Sequence, residues 1–172
     1  MARKKKVGVV PLVIIVVIIV IAAVLVYGFV INQPHFGFPT ASQMNSDTGK
    51  SYSQGNTTQT SSNSSLSSAV SVEGTNYHSS LSLIAILEAE FSNTSGATHA
   101  YVSFRGDGVF TSVTANVSYK SFTYSTVNMG LSEVTVGVDG KYVFVITSVG
   151  LTSSQQSLVA QTVIDSMTSF SI

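Results

Sequence analysis

The 172-residue chain contains no cysteine. Disulfides, thiolate metal sites and cysteine nucleophiles are thereby excluded, and stability has to come from packing. Charge is scarce as well: charged residues make up 9% of the chain, about a third of the usual share. Basic residues are scarcest where a nucleic-acid partner would need them. Arg3, Lys4, Lys5 and Lys6 precede a long apolar run, and only Lys50, Arg105, Lys120 and Lys141 follow it, against all eight acids. The body is therefore near −4 and carries no basic cluster, which excludes nucleic acid as a partner. Catalytic signatures are missing too, with no H-E-x-x-H, G-x-S-x-G, Walker loop, dinucleotide fingerprint or haem-attachment motif. No cofactor is expected. His35, His78 and His99 are scattered without ligand spacing, so no metal site is expected either.

What the chain does have is an apolar head and a polar body. From Val9 to Ile31 run 23 residues, 15 of them Val or Ile, without a charge. Such a run is too long and too uniformly apolar for a strand in water. In hydrocarbon only a helix satisfies its own backbone within one segment. At about 1.5 Å per residue that helix is roughly 35 Å long, enough to cross a bilayer core near 30 Å. The basic cluster before it holds the N-terminus in the cytoplasm, and Tyr27 and Phe29 fall where an outer aromatic belt belongs. The run is longer than the apolar region of a cleaved secretory signal and lacks its small-residue ending.

Behind it the sequence divides further. Pro34 closes the apolar helix, and PTASQMNSDTG reads as a short helix capped by Thr40 and Gly49. Between Ser51 and Val70, sixteen of twenty residues are Ser, Thr, Asn, Gln or Gly, which reads as a flexible tether with an r.m.s. span of about 25 Å. The expected layout is a basic stub over 1–8, a transmembrane helix over 9–31, an external short helix and tether over 32–69, and a folded domain over 70–172. A fragment beginning near Val70 is expected to fold alone.

Within that domain, SLSLIAILEAEF alternates, with Leu83, Ala85, Leu87, Ala89 and Phe91 on one strand face and Ile84, Ile86, Glu88 and Glu90 on the other. SNTSGATHAYVSF fits a helix through Ala97, Ala100, Tyr101 and Phe104, or a strand. Arg105-Gly106-Asp107-Gly108 reads as a turn. It spells an adhesion tripeptide, although Gly and Asp there are explained by the turn alone. Val134, Val136 and Val138 alternate up to Asp139-Gly140, and Tyr142, Phe144 and Ile146 alternate back, a β-hairpin. LTSSQQSLVAQTVIDSMTSF closes the chain as an amphipathic helix whose Leu158, Val159, Val163, Ile164 and Met167 lie on the sheet. The fold class is α+β: a small antiparallel sheet with a C-terminal helix.

Candidate chemistry is limited. Glu88 and Glu90, two apart on one strand face, are the weak catalytic candidates, since paired carboxylates raise one another's pKa and suit acid–base work in a small external hydrolase. The plainer reading is a solvated strand face, which the sequence favours. Tyr77, Tyr101, Tyr119, Tyr124 and Tyr142 suit core packing better than a ligand groove. Asn56, Asn63, Asn93 and Asn116 are acceptor sequons for glycosylation, with the two in the tether the best placed. A hydroxyl-rich surface keeps its hydration whatever the pH, which suits an outer face exposed to acid.

KKVGVVPLVIIVVIIVIAAV resembles the class III signal of archaeal type IV pilins and archaellins, or an archaeal signal-anchor. On the pilin pattern Gly8 precedes the processing cut and Val9 begins the mature chain, which implies a surface filament subunit. The order of strand, meander, DGKYVFVI hairpin and terminal helix is similar to small anchored extracytoplasmic domains shaped like the photosystem PsbP family, a resemblance of pattern that implies no activity. The sequence thus points to a single-pass cell-membrane protein, cytoplasmic at its N-terminus. Its extracytoplasmic domain is expected to bind an external protein or small ligand and not to catalyse, with the lipid bilayer as its other partner.

Overall fold

Capping chemistry sets the first helix. In the computed structural model, which describes residues 34–59, 66, 68–106 and 115–169, α1 (Ala41–Thr48) starts at Thr40, whose side chain accepts from the Gln43 N–H while Gln43 bonds back to the Thr40 N–H. It ends at Gly49, whose φ of 67° a side chain would resist. The apolar run Val9–Ile31 lies outside the described residues, as do Gly8 and Asn63. Among the described residues no helix is long and apolar enough to cross a membrane.

After α1 come β1 (Ser53–Gln54), β2 (Thr58–Gln59), β3 (Ala69–Ser79), β4 (Ser82–Phe91), α2 (Thr94–Gly106), β5 (Val117–Tyr119), β6 (Phe122–Asn128), β7 (Ser132–Asp139), β8 (Tyr142–Val149) and α3 (Ser153–Thr168). They make an α+β architecture around one antiparallel eight-stranded sheet, ordered β1-β3-β4-β8-β7-β6-β5, with β2 also on the outer edge of β3. Helix α2 stands in the chain between β4 and the far-edge strand β5, and the β5–β8 meander returns to seat β8 against β4. Three hairpins turn in two residues: Ser80-Leu81, Lys120-Ser121 and Gly140-Lys141. The turn falls at Gly140-Lys141, one residue beyond the expected Asp139-Gly140, and Gly140 in its first position takes a φ of 55°, which suits glycine there.

Because strand side chains alternate, each face of the sheet acquires its own core. On one face Tyr77, Ile84, Ile86, Phe122, Tyr124, Phe144 and Ile146 pack with Val159, Ala160, Val163, Ile164 and Met167 of α3, joined by Met44 and Tyr52. Gly137 lies opposite Phe144, and the Phe144 ring occupies the space a side chain there would fill. A buried polar row fixes α3 on this face: Ser148 Oγ donates to Gln156 Oε1 at 2.6 Å, and Gln156 Nε2 donates to Thr135 Oγ1 at 2.9 Å. On the other face Leu66, Val72, Ala89, Phe91, Val136, Val143 and Val145 pack with Ala97, Ala100 and Tyr101 of α2.

Three expectations are corrected. The start of the expected tether is sheet edge, since β1 and β2 bond to β3 and Tyr52 is buried. Composition over twenty residues averages away a single Tyr and says nothing of an open strand edge ready to accept backbone bonds. The packed unit accordingly begins at Pro34 and not near Val70. Leu158 is half exposed, and Ala160 takes the place expected for it in the α3 stripe.

Candidate functional site

Glu88 and Glu90 are brought to one face of β4 and then separated by what covers them. Glu88 has no exposed surface. Above it runs the segment 34–40, held at three points: the His35 N–H donates to Met167 O at 2.9 Å, the Gly37 N–H donates to Glu88 Oε2 at 2.8 Å, and Tyr77 O–H donates to Pro39 O. Gly37 suits this crossing because a Cβ there would stand 2.6 Å from Ser166 O. Among the described residues Glu88 Oε1 has no hydrogen-bond partner. Burial pushes the Glu88 carboxyl up to about 8; the Gly37 N–H opposes the shift and the negative charge of Glu73 adds to it. Glu73 stands directly across on β3. Burial also raises the Tyr77 phenol, and Glu88 adds to that.

Glu90 differs in every respect. It forms an ion pair with Lys141, whose ammonium lies 5.5 Å from the Tyr142 ring centre. One carboxylate is buried under the segment 34–40 and the other is ion-paired at the hairpin, so the two lie in different surroundings. The solvated strand face expected for both is corrected for Glu88. Its cover comes from a segment 51 residues away in sequence, which local periodicity does not register.

The remaining candidates disperse. His78 and His99 are exposed on β3 and α2, and among the described residues no group of three His, Asp or Glu side chains could hold a metal. Tyr77, Tyr101 and Tyr124 are buried in cores on opposite faces, while Tyr119 donates to Asp165 and Tyr142 meets the edge of Phe36. Arg105 and Gly106 belong to the last turn of α2, not to a turn, and Asp107 lies outside the described residues. The Arg105 guanidinium sits over the Tyr101 ring. Asn93 accepts from the Gly96 N–H at 2.9 Å and Asn116 from Tyr101 O–H at 3.1 Å, whereas Asn56 is exposed between β1 and β2.

A second feature was not singled out by sequence. Helix α2 covers one end of its sheet face and leaves the other open. There Asn56, Thr58, Gly74, Asn76, Ala85 and Leu87 line a cleft of about 210 Å³. Beside it Leu83 pairs with Val149, and Val149 with Ser132, so Leu81, Leu83, Val149, Leu131 and Met129 gather at one end of the sheet. All five are exposed, Leu131 at 91%. Leu81 in a two-residue turn and Leu131 after Gly130 were readable as exposed singly, which is ordinary; it is their contiguity with Leu83, Val149 and Met129 that only the fold brings about.

No protein-family model and no curated protein matches the chain. Among solved structures it is similar to the extracellular domain of PknH from Mycobacterium tuberculosis, at 11% identity and a TM-score of 0.53, over 77% of this chain and 96% of that one. A GTP-binding regulator from Thermotoga maritima aligns at 8% identity and a TM-score of 0.48, over 78% and 96%. The first likeness is one of fold alone.

Proposed function

We propose that this chain is a single-pass, membrane-anchored protein whose external α+β unit binds a partner protein through the open end of its sheet. The exposed aliphatic group around Leu83, Val149 and Leu131 carries this reading. Small-molecule pockets enclose about 300–1,000 Å³, and the neighbouring cleft is smaller. A flat apolar patch with few charges suits a protein surface better. Anchoring is supported by the length of Val9–Ile31 and the basic residues before it. The fold likeness to an extracellular domain is compatible with the same side of the membrane.

Photo-crosslinking in intact cells tests this. A benzoylphenylalanine at Leu131 is expected to capture a discrete protein that the same group at Leu158 on α3 does not, and Leu83→Asp with Val149→Asp is expected to abolish the product. No product at 131, or identical products at both positions, contradicts the proposal.

A further inference from the structure

The segment 34–40 is the stretch of chain that leads from the apolar run into the folded unit, and its middle is bonded to a buried acid. We propose that Glu88 is a proton-operated latch on this segment: while the carboxyl is neutral the segment stays closed over the sheet, and when the carboxyl ionises the segment lifts and lets water reach it. The inference goes beyond the binding reading and does not rest on it.

Four observations meet at this point. Glu88 is fully buried, so its charge has no solvent to stabilise it unless the cover moves. One oxygen accepts from the Gly37 N–H and the other, Oε1, has no partner among the described residues. An ionised Glu88 would therefore carry charge on an oxygen with nothing to bond. Glu73 lies directly opposite on β3, so a second negative charge faces the first. The cover itself is short, and it is held by the His35, Gly37 and Pro39 hydrogen bonds together with the packing of Phe36 on Tyr142 and of Phe38 on the core. Lifting it breaks three hydrogen bonds and uncovers Phe36 and Phe38, whereas ionisation beneath a closed cover meets, among the described residues, the negative charge of Glu73 and no compensating cation.

The groups that face Glu88 are few. Strand β3 presents Glu73 and Tyr77. Strand β8 presents Phe144, its direct partner. The segment carries His35, and Asp165 on α3 is paired with Lys120. On its own strand, Glu90 is paired with Lys141. When the latch opens, the proton of the Glu88 carboxyl passes to solvent. In acid the segment is closed, and in alkali it is open, so pH sets how firmly the sheet holds this segment.

Because the chain has no cysteine, Pro39→Cys places a single thiol in the buried part of the segment. The full chain in detergent micelles is labelled with a thiol reagent across pH 5–9. Each rate is divided by that of a free peptide carrying the same cysteine, which removes the thiol's own titration. The normalised rate is expected to rise about tenfold per pH unit from pH 5 and to level off near pH 8. With Glu88→Gln it is expected to stay flat. A flat profile in the chain that keeps Glu88, or an unchanged rise in the Glu88→Gln chain, overturns the latch. Carbon-13 NMR of the Glu88 carboxyl in the unsubstituted chain needs no variant to fold. A midpoint near 8 supports the proposal, and one near the ordinary 4.5 overturns it.

Discussion

Glu88 dominates the pH behaviour at the scale of single residues. Its folded-state pKa of about 8 lies above the ordinary 4.5, so between those values the folded chain holds a proton that the unfolded chain has lost. Stability from this group is complete below about pH 4.5 and falls as pH rises to about 8, by on the order of 4–5 kcal/mol. The urea midpoint of the full chain is expected to drop from pH 5 to pH 8, and Glu88→Gln is expected to flatten that drop. A midpoint that rises over the same interval contradicts the account. A preference for acid agrees with a surface of hydroxyls and amides, whose hydration does not titrate. The face on which Glu88 sits was readable from the alternation of SLIAILEAEF. Its burial was not, because the cover is a distant segment with Gly at the point of closest approach.

Elements were legible where chemistry is local. The caps at Thr40 and Gly49, the Asp139-Gly140 hairpin and the C-terminal helix each follow from residues within a turn of one another. The helix at 94–106 was readable only as one of two spacings, and packing of Ala97, Ala100 and Tyr101 on the sheet decides it. β1 and β2 were illegible because their sequence is polar and their stability comes from the edge of β3. This reverses one expectation. A fragment 70–172 lacks Met44 and Tyr52 of one core and Leu66 of the other. It is expected to aggregate or to lack a cooperative thermal transition, while a fragment 34–172 stays soluble with one. A soluble, cooperatively folded 70–172 fragment contradicts this assignment of the boundary.

At the largest scale described, the unit 34–169 is asymmetric: among the described residues one sheet face is covered by α3 with α1 beside it, and the other by α2 over one end. Which end stays open depends on where α2 docks, and no local pattern in the sequence encodes that. The asymmetry of charge was visible at once, with a basic stub before an apolar run and a body near −4 after it. It is this polarity that makes the chain an anchored external protein in our reading, and a filament subunit cut after Gly8 in the competing one. Labelling of single cysteines in intact cells addresses the central claim most directly. A membrane-impermeant thiol reagent is expected to modify Leu158→Cys, half exposed on α3 and away from the proposed binding patch, in unbroken cells, and to modify Ala2→Cys only after the membrane is opened, with both variants in the membrane fraction. Protection of Leu158→Cys in unbroken cells, or loss of the Ala2→Cys thiol from a chain shortened by residues 1–8, would contradict it.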